Sequence, residues 1–202
     1  MKNAGITLIV VAGLVVGILA YNALKPEPLR PPTAAEVRLE ADALRAEAAK
    51  QHPGMAPSDA MKEVSERRTH EALNKGDAEY RAKTAASVFF GAYFMNTRAR
   101  PAYCRKRGVD LSAFVSAYDE THRAELDRAR AIFLKAGLTP ESLLPAVDSE
   151  FQKMVDQDMK DFASGAGVPL DSVCPLFNEN AKMIAQAIEL PPEVRQALFA
   201  AY

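Results

Sequence analysis

The chain has no tryptophan, two cysteines and three histidines, and neither charge sign is in surplus: 25 Lys+Arg stand against 26 Asp+Glu across 202 residues. Each shortage closes a class of protein. Two cysteines cannot build a disulfide-dense miniature scaffold or a four-cysteine zinc site. With so few histidines, any metal site has to lean on carboxylates. Balanced charge excludes whole-chain attraction to nucleic acid. A hydrophobic share of 49% excludes wholesale disorder.

Catalytic signatures are also missing. The sequence contains no Gly-x-x-x-x-Gly-Lys-Ser/Thr loop, no Gly-x-Ser-x-Gly elbow and no His-Glu-x-x-His pair. His70-Glu71 starts the last of these, but Asn74 stands where the second histidine is needed. Gly165-Ala166-Gly167 has no preceding strand and reads as a helix stop rather than a phosphate loop. On these grounds the chain reads as a non-catalytic protein.

What is present begins at the N-terminus. No charged side chain occurs from Asn3 to Leu24, and Ile6 to Leu24 is almost wholly apolar. As a helix, those nineteen positions span roughly 28 Å, close to the hydrocarbon thickness of a bilayer. Residues 1–24 are therefore expected to be a transmembrane anchor, touching lipid through residues 6–24. Lys2 followed at once by an apolar run also fits a signal segment, but the small-residue pattern for cleavage is poor: Ile18 or Tyr21 fills the outer position. An uncleaved signal is the expectation.

That orientation puts the C-terminal part outside the cytoplasm, and the absence of an Asn-x-Ser/Thr sequon favours the periplasm of a bacterial inner membrane. Gly13, Gly17 and Ala20 form a small-residue face through which two anchors are able to pack as a homodimer. Residues 25–32 hold four prolines in eight positions, a semi-rigid linker that cannot continue the helix.

The rest shows helical periods and no alternating apolar-polar run bounded by turns, so the fold class is all-α: a bundle of about five to seven helices. Over residues 33–76 two amphipathic helices are expected, the first opened by the Thr33 to Glu36 capping box and bearing only the thin stripe Val37, Ala41, Leu44 and Ala48. A stripe so thin suits helices that project from the domain. Ser58 is expected to cap the second.

Residues 77–202 are expected to form the compact domain. Asp77 caps a helix whose stretch Ala85 to Met95 is apolar on nearly all sides and so belongs at the centre of the core. Pro101 should interrupt the pattern that follows. From Asp110 to Ala136 one long amphipathic helix is expected, with Leu111, Val115, Tyr118, His122, Leu126, Ala129 and Phe133 along its seam. Further helices follow Pro145 and Pro175, and a short one runs from Glu193 to Ala201.

Three groups of residues carry the functional expectations. Cys104 and Cys174 stand seventy positions apart, too far for a Cys-x-x-Cys motif, and in an oxidising compartment they predict one disulfide. Arg98, Arg100, Arg105, Lys106 and Arg107 form a basic run facing ten acids between Glu141 and Glu193. The pairing predicts internal charge complementarity, with a patch for an anionic partner or lipid headgroups as the sharper alternative. Asp119, His122 and Glu125 recur three apart, the spacing at which a bundle helix presents an acid and a histidine to a ligand or metal, although the second copy such a site needs is missing. No metal or other cofactor is expected.

Taken together, these features predict a single-pass, membrane-anchored, exported helical protein that acts as an interaction or accessory partner in a cell-envelope assembly. Its expected partners are lipid and another protein, with no nucleic acid. The alternative is a periplasmic small-molecule or metal-binding domain, enzymatic or not, organised around His122.

Overall fold

The computed structural model describes residues 30–201. The expected anchor, with Gly13, Gly17 and Ala20, and most of the expected proline linker lie outside the described residues. Among these the architecture is all-helical, without strands. No described helix is long and apolar enough to cross a membrane.

Helix α1 (Ala34–Gln51) opens with the capping box: the Thr33 hydroxyl accepts from the Glu36 amide, and the Glu36 carboxylate accepts from the Thr33 amide at 2.7 Å. It ends at the His52-Pro53-Gly54 turn, where Gly54 takes φ +90°. Helix α2 (Pro57–Lys75) starts one step before Ser58, with Pro57 at its first position and Ala56 as the cap, because the ring of Pro57 already holds the helical φ and has no amide to satisfy.

These two helices do not project. Val37, Ala41, Leu44 and Ala48 are 0–2% exposed and join the same core cluster as the rest of the domain. The small side chains of the stripe let α2 come close, and charges flank the seam. Arg68 binds Glu40 at 2.6 Å and also Glu47, and Arg67 binds Glu47. Arg45 reaches Glu150 across the domain at 2.8 Å. A thin apolar stripe thus suffices when ionic contacts close its edges.

Helix α3 (Ala78–Phe94) is capped by Asp77, whose carboxylate accepts from the Tyr80 amide at 2.8 Å. It is the central element, buried from Thr84 through Gly91, and packs against α2, α6 and α10. The cluster Phe89, Phe90, Tyr93 and Phe94 is core packing: Phe90 meets Phe133 with ring centroids 4.8 Å apart. Pro101 does not break the chain's helical path. A π turn (Met95–Ala99) leads into α4 (Arg100–Arg105), with Pro101 in the first turn of α4, where its missing amide is harmless.

The segment expected as one helix is two, α5 (Ser112–Thr121) and α6 (Arg123–Lys135), divided at His122, whose φ −106° and ψ 22° leave the helical region. The His122 amide still donates to Tyr118 and its carbonyl still accepts from Leu126, so the ladder is bridged and the seam keeps its phase. Gly137 closes α6 with φ +77°.

Helix α7 (Leu144–Ala166) then runs between α1 and the π turn, ending at Gly167 with φ +68°. The region after Pro175 is likewise divided, into α8 (Val173–Glu179) and α9 (Ala181–Ala187) at Asn180. Helix α10 (Pro192–Phe199) turns Val194 and Leu198, both 0% exposed, onto α3. These divisions give more, shorter helices than the apolar periodicity implies.

Candidate functional site: a methionine-lined groove

The cysteines expected to pair do so. Cys104, at the end of α4, and Cys174, in the first turn of α8, are joined with an S–S distance of 2.06 Å and Cα atoms 5.6 Å apart. Both are buried. This link pins the segment after the π turn to the last third of the chain.

One turn before Cys104, Arg100 does not belong to the surface patch offered as the alternative for the basic run. It is 0% exposed. Its Nε and Nη2 donate to Asp158 Oδ2 at 3.1 and 2.7 Å, its Nη1 donates to Asn96 Oδ1, and its guanidinium lies 5.1 Å from the centre of the Phe177 ring. A buried guanidinium needs a carboxylate and satisfied donors, and α7 and the π turn supply them. Charge complementarity between the basic run and the acidic half is thus realised in one internal pair. Arg98, Arg105, Lys106 and Arg107 remain exposed, and Arg107 folds its guanidinium over the Tyr103 ring at 3.5 Å.

Asp158 has a second side. With Met95, also from the vicinity of the π turn, it lines a cavity of about 760 Å³ between the start of α2 and α7. The other walls come from Met61 of α2 and from Met154, Gln157, Asp161 and Gly165 of α7, with Arg45 of α1 at one end. A neighbouring cavity of about 370 Å³ shares Arg45, Pro57 and Met61 and continues the depression past Met55. Four of the chain's seven methionines, Met55, Met61, Met95 and Met154, therefore line one or both of these adjoining cavities.

The lining of the groove mixes charged and apolar side chains. At one end Glu150, 1% exposed, accepts from Arg45 at 2.8 Å and from Lys153 at 2.6 Å. Burial pulls the Glu150 carboxyl upward, but the two cationic donors outweigh it and hold the group below the usual carboxylate range. Arg45 also binds Asp42 at 2.8 Å, so the two cations there are matched by two carboxylates. Further along α7 the exposed Asp161 lines the groove and accepts from Gln157 at 2.8 Å, and the exposed Asp59 lines it from α2; neither forms an ion pair among the described residues. No segment-local spacing announces this site, because α1, α2, the π turn and α7 each give only a few residues to it.

The His122 constellation is taken apart by the break between α5 and α6. His122 is 7% exposed; its Nε2 lies 3.1 Å from the Ala185 carbonyl, and its ring rests 4.4 Å from that of Tyr118. Burial lowers its pKa, against the opposing pull of the Ala185 carbonyl and of Glu125. Glu125 is engaged by Arg195 at 3.1 Å. Asp119 turns towards Tyr93 instead, where burial first, and then this carboxylate, push the phenol upward. A small cleft of about 230 Å³ does open beside His122, Glu125 and Arg195, but it excludes Asp119. Among the described residues no group of three or more His, Cys, Asp or Glu side chains converges to hold a metal ion.

The described residues form an all-helical domain with an open groove of mixed polar and apolar lining. Compared with known proteins, the chain matches no family model, no curated protein and no solved structure.

Proposed function

We propose that this protein is a single-pass, membrane-anchored, exported helical interaction protein that serves as an accessory component of a bacterial cell-envelope assembly, its helical domain on the periplasmic side of the inner membrane. The observation that carries the reading is the Cys104–Cys174 disulfide, since a buried structural crosslink of this kind persists in oxidising compartments and is rare in the cytosol. The apolar, uncharged run before Lys25 supplies the means of attachment. The methionine groove supplies a surface suited to holding another protein, because flexible thioether side chains adapt to the shape of an apolar partner.

Topology and partnership are tested in intact cells. A phosphatase fused after Tyr202 is expected to be active, and Cys104 and Cys174 are expected to resist alkylation until a reductant is added. A photo-crosslinking residue at Gln157 in the groove is expected to capture a discrete envelope protein, whereas one at exposed Glu120 is not. A fusion active only as a cytoplasmic reporter, or thiols that alkylate freely, would reject the exported reading.

A further inference from the structure

The groove has a length, a floor and a charge order, and these specify what fits it. Along α7 it extends from Lys153 to Gly165, a rise of roughly 18 Å at about 1.5 Å per residue. That matches a helix of about three turns. Beneath it Met95 is fully packed on the core at 0% exposure, while Met61 at 9% and Met154 at 8% bring only their outer edges to the groove.

We infer that the groove binds a short amphipathic helix of a partner protein, its apolar face on the methionines and its lysine or arginine side chains over Asp59 and Asp161. The charge order selects this occupant. Asp59 and Asp161 are exposed carboxylates without an ion pair among the described residues, while Arg45 and Lys153 are matched by Asp42 and Glu150. Cations on the occupant therefore gain partners in these two carboxylates, whereas carboxylates over them meet like charge. The inference deepens the interaction reading above and rests on it for its biological setting, but the groove's preference is measurable in isolation from location.

The test uses the full chain in nanodiscs of neutral phosphatidylcholine, with a fluorescent fourteen-residue amphipathic peptide of leucine and lysine as probe. A peptide with the same leucines and glutamate in place of lysine is the comparison. Anisotropy is expected to show saturable binding of the lysine peptide, at least about tenfold tighter than the glutamate peptide. In Asp59→Asn/Asp161→Asn, affinity for the lysine peptide should fall about fivefold, as two exposed pairs of roughly 0.5 kcal/mol each imply.

Glu120→Gln/Asp127→Asn, an equal charge change on α5 and α6, should leave affinity unchanged. Gln157→Arg, on the exposed lip of the groove, should also weaken the lysine peptide and leave the melting temperature unaltered. Equal affinity for both peptides would overturn the proposal, as would equal effects of the two double variants, or crosslinks from Gln157 that join only two copies of this chain. A cytoplasmic location with intact peptide selectivity would reject the exported reading and leave the groove's specificity standing.

Discussion

Arg100 and Asp158, fifty-eight positions apart, form an ion pair at 2.7 Å in which the cation has no exposure to water and the carboxylate has 17%. The asymmetry matters. Asp158 can be hydrated from the groove if its partner is lost, but Arg100 cannot. Asp158→Ala should therefore destabilise the fold by about 3 kcal/mol, because it strands a buried cation. Arg100→Met/Asp158→Ala should recover much of that loss, since an apolar side chain of similar length removes the charge that needs a partner. Urea denaturation of the single and double variants measures both, and a double variant no more stable than Asp158→Ala would refute this account.

Glu150 provides the contrast. It too is buried, yet its partners Arg45 and Lys153 are 36% and 56% exposed and can turn to water. Glu150→Gln keeps the shape, removes the charge, leaves Arg45 on Asp42 and releases Lys153 to water, so it should cost only about 1 kcal/mol. A loss equal to that of Asp158→Ala would show that the cations cannot relax.

Removal of the disulfide should weaken the fold far more than most surface changes. Closing a loop of this separation contributes roughly 4 kcal/mol on the chain-entropy model. Cys104→Ser/Cys174→Ser, or the wild type under reductant, is expected to lose most of that amount in denaturant titrations, with the helical circular dichroism of the native state retained.

His122 predicts a pH dependence whose sign follows from its lowered pKa. In the unfolded chain it protonates near 6.5, whereas burial in the native state delays protonation to lower pH. Between those values the unfolded state binds the extra proton, so stability is full above pH 6.5 and is lost as pH falls from there to the native value. The wild type should lose more stability than His122→Gln between pH 7.5 and pH 5.5. Parallel curves for the two proteins would remove His122 as the cause.

Much of the scaffold was legible in the residues. Asp77 and the Thr33 to Glu36 box cap their helices as side-chain chemistry requires, the all-round apolar stretch from Ala85 to Met95 lies at the centre, and Cys104 meets Cys174. The break at His122 was not legible, because it removes no residue and leaves the seam in register, so apolar periodicity is the same with or without it. Arg100 was read with its neighbours as a basic run complementing the acidic half, with a surface patch as the alternative, and nothing in the run marks it as the one member that is buried. Only the fold reveals Asp158 and Asn96 waiting inside.

The groove was the least legible feature of all. Met55, Met61, Met95 and Met154 have no common period, and nothing local separates a methionine that fills the core from one that floors a channel. Helix packing, not spacing, assembles the site.

The Cys104–Cys174 link also turns α5, α6 and α7 into a covalent ring. A protease that severs the backbone once anywhere between Arg105 and Val173 leaves the two pieces tethered through sulfur. Such a nicked molecule migrates as one species until a reductant separates it into two, so damage within this ring escapes notice on a non-reducing gel and need not release the C-terminal helices from the N-terminal part.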